Sequence, residues 1–140
     1  MRVTALALAA ALTLTGLGGC TRSGEQPPAK TFIVAGSVRL TGQSGVRAGE
    51  ACTGTGAQAD LHAGTPVVVE TTDGRRLGSG ALEDGQGTEV DGAPACVWRF
   101  FVSGVDAALD AYQVRVGDRA PQRYDVSGIH GAVDITIPAR

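Results

Sequence analysis

The sequence has no asparagine, one lysine (Lys30) and two histidines among its 140 residues. Without asparagine there is no acceptor for N-linked glycans. The 12 basic residues are interspersed with 14 acidic ones and form no basic stripe, which argues against a nucleic-acid partner. A structural zinc site needs about four ligands, and few histidines and cysteines are present. We therefore expect no nucleic-acid partner, no metal and no cofactor.

Long apolar runs are also scarce, since only residues 3–17 form one. This run follows Arg2 and is shorter than the ~20 residues of a transmembrane helix, so it has the parts of an export signal. It ends in Leu17-Gly18-Gly19-Cys20, which resembles a bacterial lipobox. The resemblance implies a lipoprotein signal peptide over residues 1–19, and a Cys20 that becomes the first residue and carries lipid. An ordinary secretory signal cut elsewhere is the alternative.

The three cysteines agree with this interpretation. If lipid takes Cys20, then Cys52 and Cys96 remain as an even pair in an oxidising compartment, which predicts a disulfide. A zinc site is the rival, and only His62 and His130 are available to complete it. The expected location is extracytoplasmic, with the chain held on the cell membrane by the lipid on Cys20.

Three segments follow from these observations. After the signal peptide, residues 20–30 form a short linker that contains Pro27-Pro28 and spans at most roughly 35 Å. Residues 31–140 then form one domain. Strand-like alternation recurs through this domain, so we predict an all-β fold, a single sandwich of about seven mostly antiparallel strands with one disulfide. The predicted strands lie at residues 31–40, 66–72, 75–82, 96–102, 112–116, 123–126 and 133–137, with a short strand hidden within 48–53.

The connections carry more specific predictions. Asp73-Gly74 is the strongest hairpin signal and predicts a type I′ turn. Gly78 and Gly80 lie between two leucines of opposite parity and predict a bulge. Residues 83–94 are polar and predict a turn region, and one helical turn is expected within residues 106–110.

The clearest core strand covers residues 96–102, and its two faces predict different roles. Cys96, Trp98, Phe100 and Val102 point one way and form the expected core. The opposite face carries Val97, Arg99 and Phe101. If that face is open to solvent, these three residues form the best candidate binding patch in the chain, because exposed apolar patches often mark partner sites.

The sequence shows no recognisable catalytic motif. Ser44 lacks the G-x-S-x-G frame of a nucleophile elbow, and its available bases, His62 and His130, lie in glycine-flanked loops. Residues 54–59 fit G-x-G-x-x-A without the strand and helix that a dinucleotide site needs. Residues 83–91 are acidic but lack calcium-loop spacing. The sequence thus indicates a protein that is not an enzyme.

Several segments together resemble a known kind of protein. They are the lipobox at Cys20, the Cys52 loop followed by residues 64–69, the hairpin at residues 73–77, the strand at residues 96–102 and the strand at residues 112–117. The chain resembles the small lipoproteins common in actinobacteria, and its last three segments resemble immunoglobulin-like and transthyretin-like sandwich modules. The resemblance implies a β-sandwich and no established activity.

Two functions are consistent with these features. The first is a non-catalytic, membrane-anchored lipoprotein of the cell envelope that binds another envelope protein or a cell-wall component. The second is a small-ligand or metal-ion carrier that uses residues 53–64 or the acidic loop. An exposed flat patch favours the first function, and a deep polar pocket favours the second.

Overall fold

A computed structural model describes residues 28–139, which form two β-sheets packed against each other. The predicted signal peptide, the lipidated Cys20 and most of the linker fall within residues 1–27 and lie outside the described residues. The strands are β1 Thr31–Thr41, β2 Ala51–Cys52, β3 Pro66–Glu70, β4 Arg76–Ala81, β5 Gly85–Val90, β6 Ala93–Asp106, β7 Ala111–Val116, β8 Gln122–Asp125 and β9 Val133–Pro138. This part of the chain also has a 3₁₀ turn at Gly56–Gln58 and a helix α1, Val126–His130.

The sheets have the orders β2-β5-β6-β1-β9 and β4-β3-β7-β8. All of the strand pairs are antiparallel except β1 with β9, which run parallel. The prediction of an all-β sandwich of mostly antiparallel strands with one disulfide is confirmed. Nine strands are found among the described residues rather than about seven, partly because β2 is short and β5 has little apolar character.

The predicted polar turn at residues 83–94 is wrong, because it contains β5. This strand pairs with β6 from Gln86 to Val90. Its inward residues are Gly85 and Gly87, both buried. Glycine has no apolar side chain, so a search for alternating hydrophobic residues does not detect the inward face of this strand.

The type I′ turn occurs at a different Asp-Gly pair from the predicted one. Asp91 and Gly92 have positive φ values of 52° and 76°, and the pairing of Val90 with Ala93 closes a two-residue hairpin around them. The predicted pair, Asp73-Gly74, has a positive φ only at Gly74.

The hairpin between β3 and β4 therefore has another loop type. The Gly74 N–H donates to the Thr71 carbonyl at 3.0 Å, and the Thr71 N–H donates to the Arg75 carbonyl at 2.9 Å. This is the three-residue loop in which a left-handed glycine follows a turn. The predicted bulge lies just after it, since Glu70 pairs with Arg76 and Val69 pairs with Gly78, which leaves Leu77 unpaired.

Helical structure also differs from the prediction. No helical turn occurs within residues 106–110, where the Asp106 carboxylate instead accepts a hydrogen bond from the Ala108 N–H at 2.9 Å. The short helix α1 begins after Asp125, whose carboxylate caps it by accepting from the Gly128 N–H at 2.7 Å. Ile129 anchors α1 in the core.

The two sheets are joined along one edge, where β4 lies beside the second half of β6. Leu82 bridges to Phe100, and the Glu83 N–H donates to the Arg99 carbonyl at 2.8 Å. A Cβ on Gly80 would lie 2.2 Å from the Phe101 carbonyl oxygen. Glycine at this position is thus required by the close approach of two backbones rather than by a bulge.

The predicted disulfide between Cys52 and Cys96 is confirmed. Its Cα atoms are 5.9 Å apart, although β5 lies between β2 and β6 in the sheet order. Alternate strands of a flat sheet are ~9.6 Å apart, so β2 must fold over the inner face of β5. The glycines of β5 make room for this, because a Cβ on Gly85 would lie 2.3 Å from the Cys52 carbonyl oxygen.

Candidate functional site

Strand β6 has one buried face and one open face, as the alternation of its side chains predicts. Trp98, Phe100 and Val102 are completely buried against the second sheet. On the outer face, Arg99 is exposed, Val97 is half-buried and Phe101 retains 53% of its accessible surface. The outer face of the five-stranded sheet is therefore open to solvent at the predicted patch.

Two of the three patch residues line an open groove of about 940 Å³. It lies where the chain passes from β4 into β5, beside the middle of β6. The groove is lined by Ala63, Leu82, Glu83, Asp84, Gln86, Gly87, Thr88, Val97 and Arg99. The carboxylates of Glu83 and Asp84 and the guanidinium of Arg99 in this lining give it the means to bind a partner that has both donors and acceptors.

Phe101 does not line this groove but belongs to an apolar neighbour of it. Ala35 of β1 lies directly opposite Phe101, so Ile33 is its diagonal neighbour on the same face. Ile33 retains 63% of its accessible surface. We call Ile33, Ala35 and Phe101 the apolar end of the outer face.

Strand β6 contains a bulge opposite Ile33. The register shifts between Phe32 and Val34 because β6 has one extra residue near Gly104, which has a φ of 74°. The bulge lets Val102 and Val105 both point inward, although they are three residues apart. The predicted strand ends at Val102 and therefore misses the last four residues of β6, 103–106.

The loop proposed as an alternative ligand site, residues 53–64, is held by its own contacts. Leu61 is completely buried at its centre. Arg119 donates to both carboxylate oxygens of Asp60 and reaches Gln58. The hydrogen bond from Arg119, with its charge, holds the pKa of the Asp60 carboxyl below its usual value. Nothing in the sequence pattern marks the pairing of Asp60 with Arg119, since 59 residues separate them.

The other residues considered for chemistry are dispersed. The His62 ring Nδ1 lies 2.8 Å from the Ala63 carbonyl, and the His130 ring lies 4.2 Å from the Phe32 ring. Ser44 is exposed in a loop. Within residues 28–139, no hydrogen bond joins any two of Ser44, His62 and His130.

The acidic segment is divided between two places. Glu83 and Asp84 border the groove, whereas Glu89 and Asp91 lie at the far end of β5 and in the hairpin that follows. No cluster of three potential metal-ligating side chains is found in the described part of the chain. Nor does any helix among residues 28–139 combine the length and the apolar character needed to cross a membrane.

Substitution of Phe101 tests the openness of this face. We expect Phe101→Asp to change the melting temperature little, because a half-exposed side chain that leaves the core intact changes the free energy of unfolding by about 0.5 kcal/mol or less. Phe100→Asp, one residue away and completely buried, is the matched control and should unfold the domain. Thermal denaturation followed by circular dichroism measures both. A severe loss of stability in Phe101→Asp would contradict an open face.

Comparison of this chain with protein-family models, with curated proteins and with solved structures found no match. The fold and disulfide define it as a disulfide-linked all-β sandwich. Neither a relative nor a feature of the described fold indicates an enzymatic activity. The resemblance to small actinobacterial lipoproteins stays a prediction from the sequence.

Proposed function

We propose that this protein is a non-catalytic lipoprotein of the cell envelope, anchored to the membrane through lipid on Cys20, which binds an envelope protein or a cell-wall component. The observation that carries the binding role is the open groove beside Val97 and Arg99 on the outer face of the five-stranded sheet. The anchor is inferred from the apolar run that ends at Leu17-Gly18-Gly19-Cys20.

The cysteines support an extracytoplasmic location. Cys52 and Cys96 form the disulfide, and disulfides persist mainly in oxidising compartments. The pairing accounts for two of the three cysteines and leaves Cys20 as the residue for a lipid. Two independent features, the export segment and the disulfide, thus favour the same side of the membrane.

The groove is suited to a binding role by its construction. Its base is fixed by β6, whose core face packs Trp98 and Phe100 without exposure to solvent. Arg99, Glu83 and Asp84 are exposed and hydrogen-bond-capable, so they are available to a partner. A rigid strand with accessible polar side chains binds without a large cost in conformational entropy.

Photo-crosslinking in cells tests the binding role. A benzophenone side chain replaces Val97 in one variant and Arg99 in another, and Gln122 in a control variant. Gln122 is exposed on β8, an edge strand of the other sheet. We expect adducts from the two groove positions and none from Gln122, and mass spectrometry then distinguishes a protein adduct from a glycan adduct. Equal labelling from all three positions, or no adduct at all, contradicts binding in the groove.

Replacing the proposed lipid acceptor tests the anchor. We expect Cys20→Ser to block lipid attachment and to move the protein out of the membrane fraction, because a lipid chain contributes ~0.8 kcal/mol per buried CH₂ to membrane binding. Fractionation and immunoblotting measure this, with Cys52→Ser as a cysteine control that should stay in the membrane. A Cys20→Ser protein that remains in the membrane with unchanged processing is incompatible with the proposed anchor.

The carrier alternative has its own signature. Its supporting observation is the same groove, with Glu83 and Asp84 facing solvent near Arg99. Calorimetric titration of the purified chain with calcium, zinc and short cell-wall peptides distinguishes the carrier function from the cell-wall-binding function. Saturable binding of a metal, lost in the variant with Glu83→Gln and Asp84→Asn, favours the carrier. Saturable binding of a peptide, lost in Arg99→Glu, favours the cell-wall module.

A further inference from the structure

The exposed apolar side chains are concentrated at one end of the domain. Among residues 28–139, the large hydrophobic residues that are exposed are Ile33, Phe101 and Val126. Ile33 lies near the start of β1, and Phe101 is its diagonal neighbour. Val126 directly follows Asp125, the last residue of β8. Asp125 pairs with Ala111, the first residue of β7, next to the loop that begins at Ala107.

That end is also where the linker enters the domain. The Ala107 N–H donates to the Lys30 carbonyl at 2.9 Å, so the last linker residue lies beside the loop between β6 and β7. The His130 ring of α1 stacks on Phe32 at the same end. Ile33 is therefore only a few residues, in sequence and in space, from the point where the tether joins the sandwich.

From this arrangement we propose that the apolar end of the outer face contacts the lipid bilayer through Ile33 and Phe101. The inference rests on the lipid anchor of the proposed function. Residues 21–30 are all that separate Cys20 from Thr31, and a chain of that length spans at most roughly 35 Å. Any surface at this end of the domain is thus held close to the membrane.

Two large side chains bind a bilayer weakly on their own. A short tether changes this, because it makes the contact intramolecular and raises the effective concentration of lipid at the apolar end. Phenylalanine and isoleucine are among the side chains that amphipathic surfaces insert at the boundary of headgroups and acyl chains. The contact therefore sets the orientation of the domain, while the anchor supplies the affinity.

The proposed orientation leaves the groove free for a partner. Arg99 and Val97 lie two and four residues before Phe101 on β6, which places them ~7 Å and ~13 Å farther along the strand. The predicted patch of Val97, Arg99 and Phe101 is then divided between two contacts. Phe101 meets lipid, and Val97 and Arg99 meet the envelope partner.

Tryptophan fluorescence of the full-length lipidated chain in vesicles tests this inference. The vesicles consist of phosphatidylcholine, part of it spin-labelled on the acyl chain as a quencher. The single natural tryptophan, Trp98, is completely buried and gives a constant background. Phe101→Trp places a second tryptophan at the apolar end. Glu89→Trp places one at an exposed site at the opposite end of the sheet, as a matched control.

We expect the labelled lipid to reduce the emission of Phe101→Trp and not that of Glu89→Trp. Adding Ile33→Asp to Phe101→Trp should abolish the reduction while the protein still floats with the vesicles. If the chain floats but aqueous iodide, and not the lipid, quenches Phe101→Trp, the inference is overturned and the anchor stands. If the wild-type chain does not float, the anchor fails, and this inference fails with it.

A different result is expected if a protein, rather than lipid, contacts the apolar end. A benzophenone at residue 101 that forms a protein adduct in cells, together with unquenched Phe101→Trp emission in vesicles, shows that the apolar end binds protein. That result rejects the lipid contact without affecting the crosslinks from Val97 and Arg99. The two proposals can therefore fail separately.

Discussion

Replacing Trp98 by alanine is expected to lower the free energy of unfolding by about 4 kcal/mol, because large-to-small substitutions of buried aromatics leave a cavity that the fold fills only in part. Trp98 is completely buried in the middle of β6, opposite Val38 of β1. It also touches the glycine face of β5, since a Cβ on Gly85 would lie 2.5 Å from the indole nitrogen. One side chain thus connects three neighbouring strands of the larger sheet.

Trp98→Phe is the informative control. The indole N–H is buried and has no hydrogen-bond partner within the described residues. A phenyl ring keeps most of the apolar contacts and removes this unpaired donor, so the loss should be less than half of that for alanine. Urea denaturation followed by circular dichroism measures both variants. Equal losses of unfolding free energy in Trp98→Phe and Trp98→Ala would contradict this explanation. The whole effect would then come from the indole N–H or the ring edge, which both variants lack.

Reduction of the disulfide is expected to cost about 4 kcal/mol. The bond joins residues 44 positions apart, and closing a loop of that size restricts the unfolded chain by about this amount in the chain-entropy treatment. Native contacts add to the effect, because β2 makes only a two-residue pairing with β5 and is held over it by Cys52.

The measurement compares urea denaturation of the wild type with and without dithiothreitol. The double variant Cys52→Ala, Cys96→Ala is the control, and it should match the reduced wild type and show no response to the reductant. Hydrogen exchange should increase first at residues 47–52 and in β5, and least in β1. A change in unfolding free energy below about 1 kcal/mol would contradict the chain-entropy explanation.

Sequence reasoning predicted those parts of the fold in which polarity alternates with side-chain direction. The strand from Cys96 to Val102 is such a part, and its core face and its open face are both as expected. The cysteine pair was predictable because two thiols in the oxidising compartment that the export segment predicts have few other fates. The class of fold follows from several such strands together.

The remainder depends on residues whose role is set by their surroundings. Gly85 and Gly87 are inward residues of a strand, yet they have no side chain that reveals it. Gly104 permits the bulge that brings Val105 into the core. The groove could not be predicted either, since Glu83 and Arg99 meet only because the residues that follow β4 bridge to β6.

The central position of β1 has a mechanical consequence. This strand joins directly to the linker and is paired on both sides, with β6 along most of its length and with β9 from Gly36 to Thr41. Tension on the linker therefore acts along β1, across its backbone hydrogen bonds, which are perpendicular to the strand in the antiparallel pairing with β6. These bonds share the load rather than opening one after another. If a partner bound in the groove pulls the domain away from its tether, β1 would therefore resist extraction by shear.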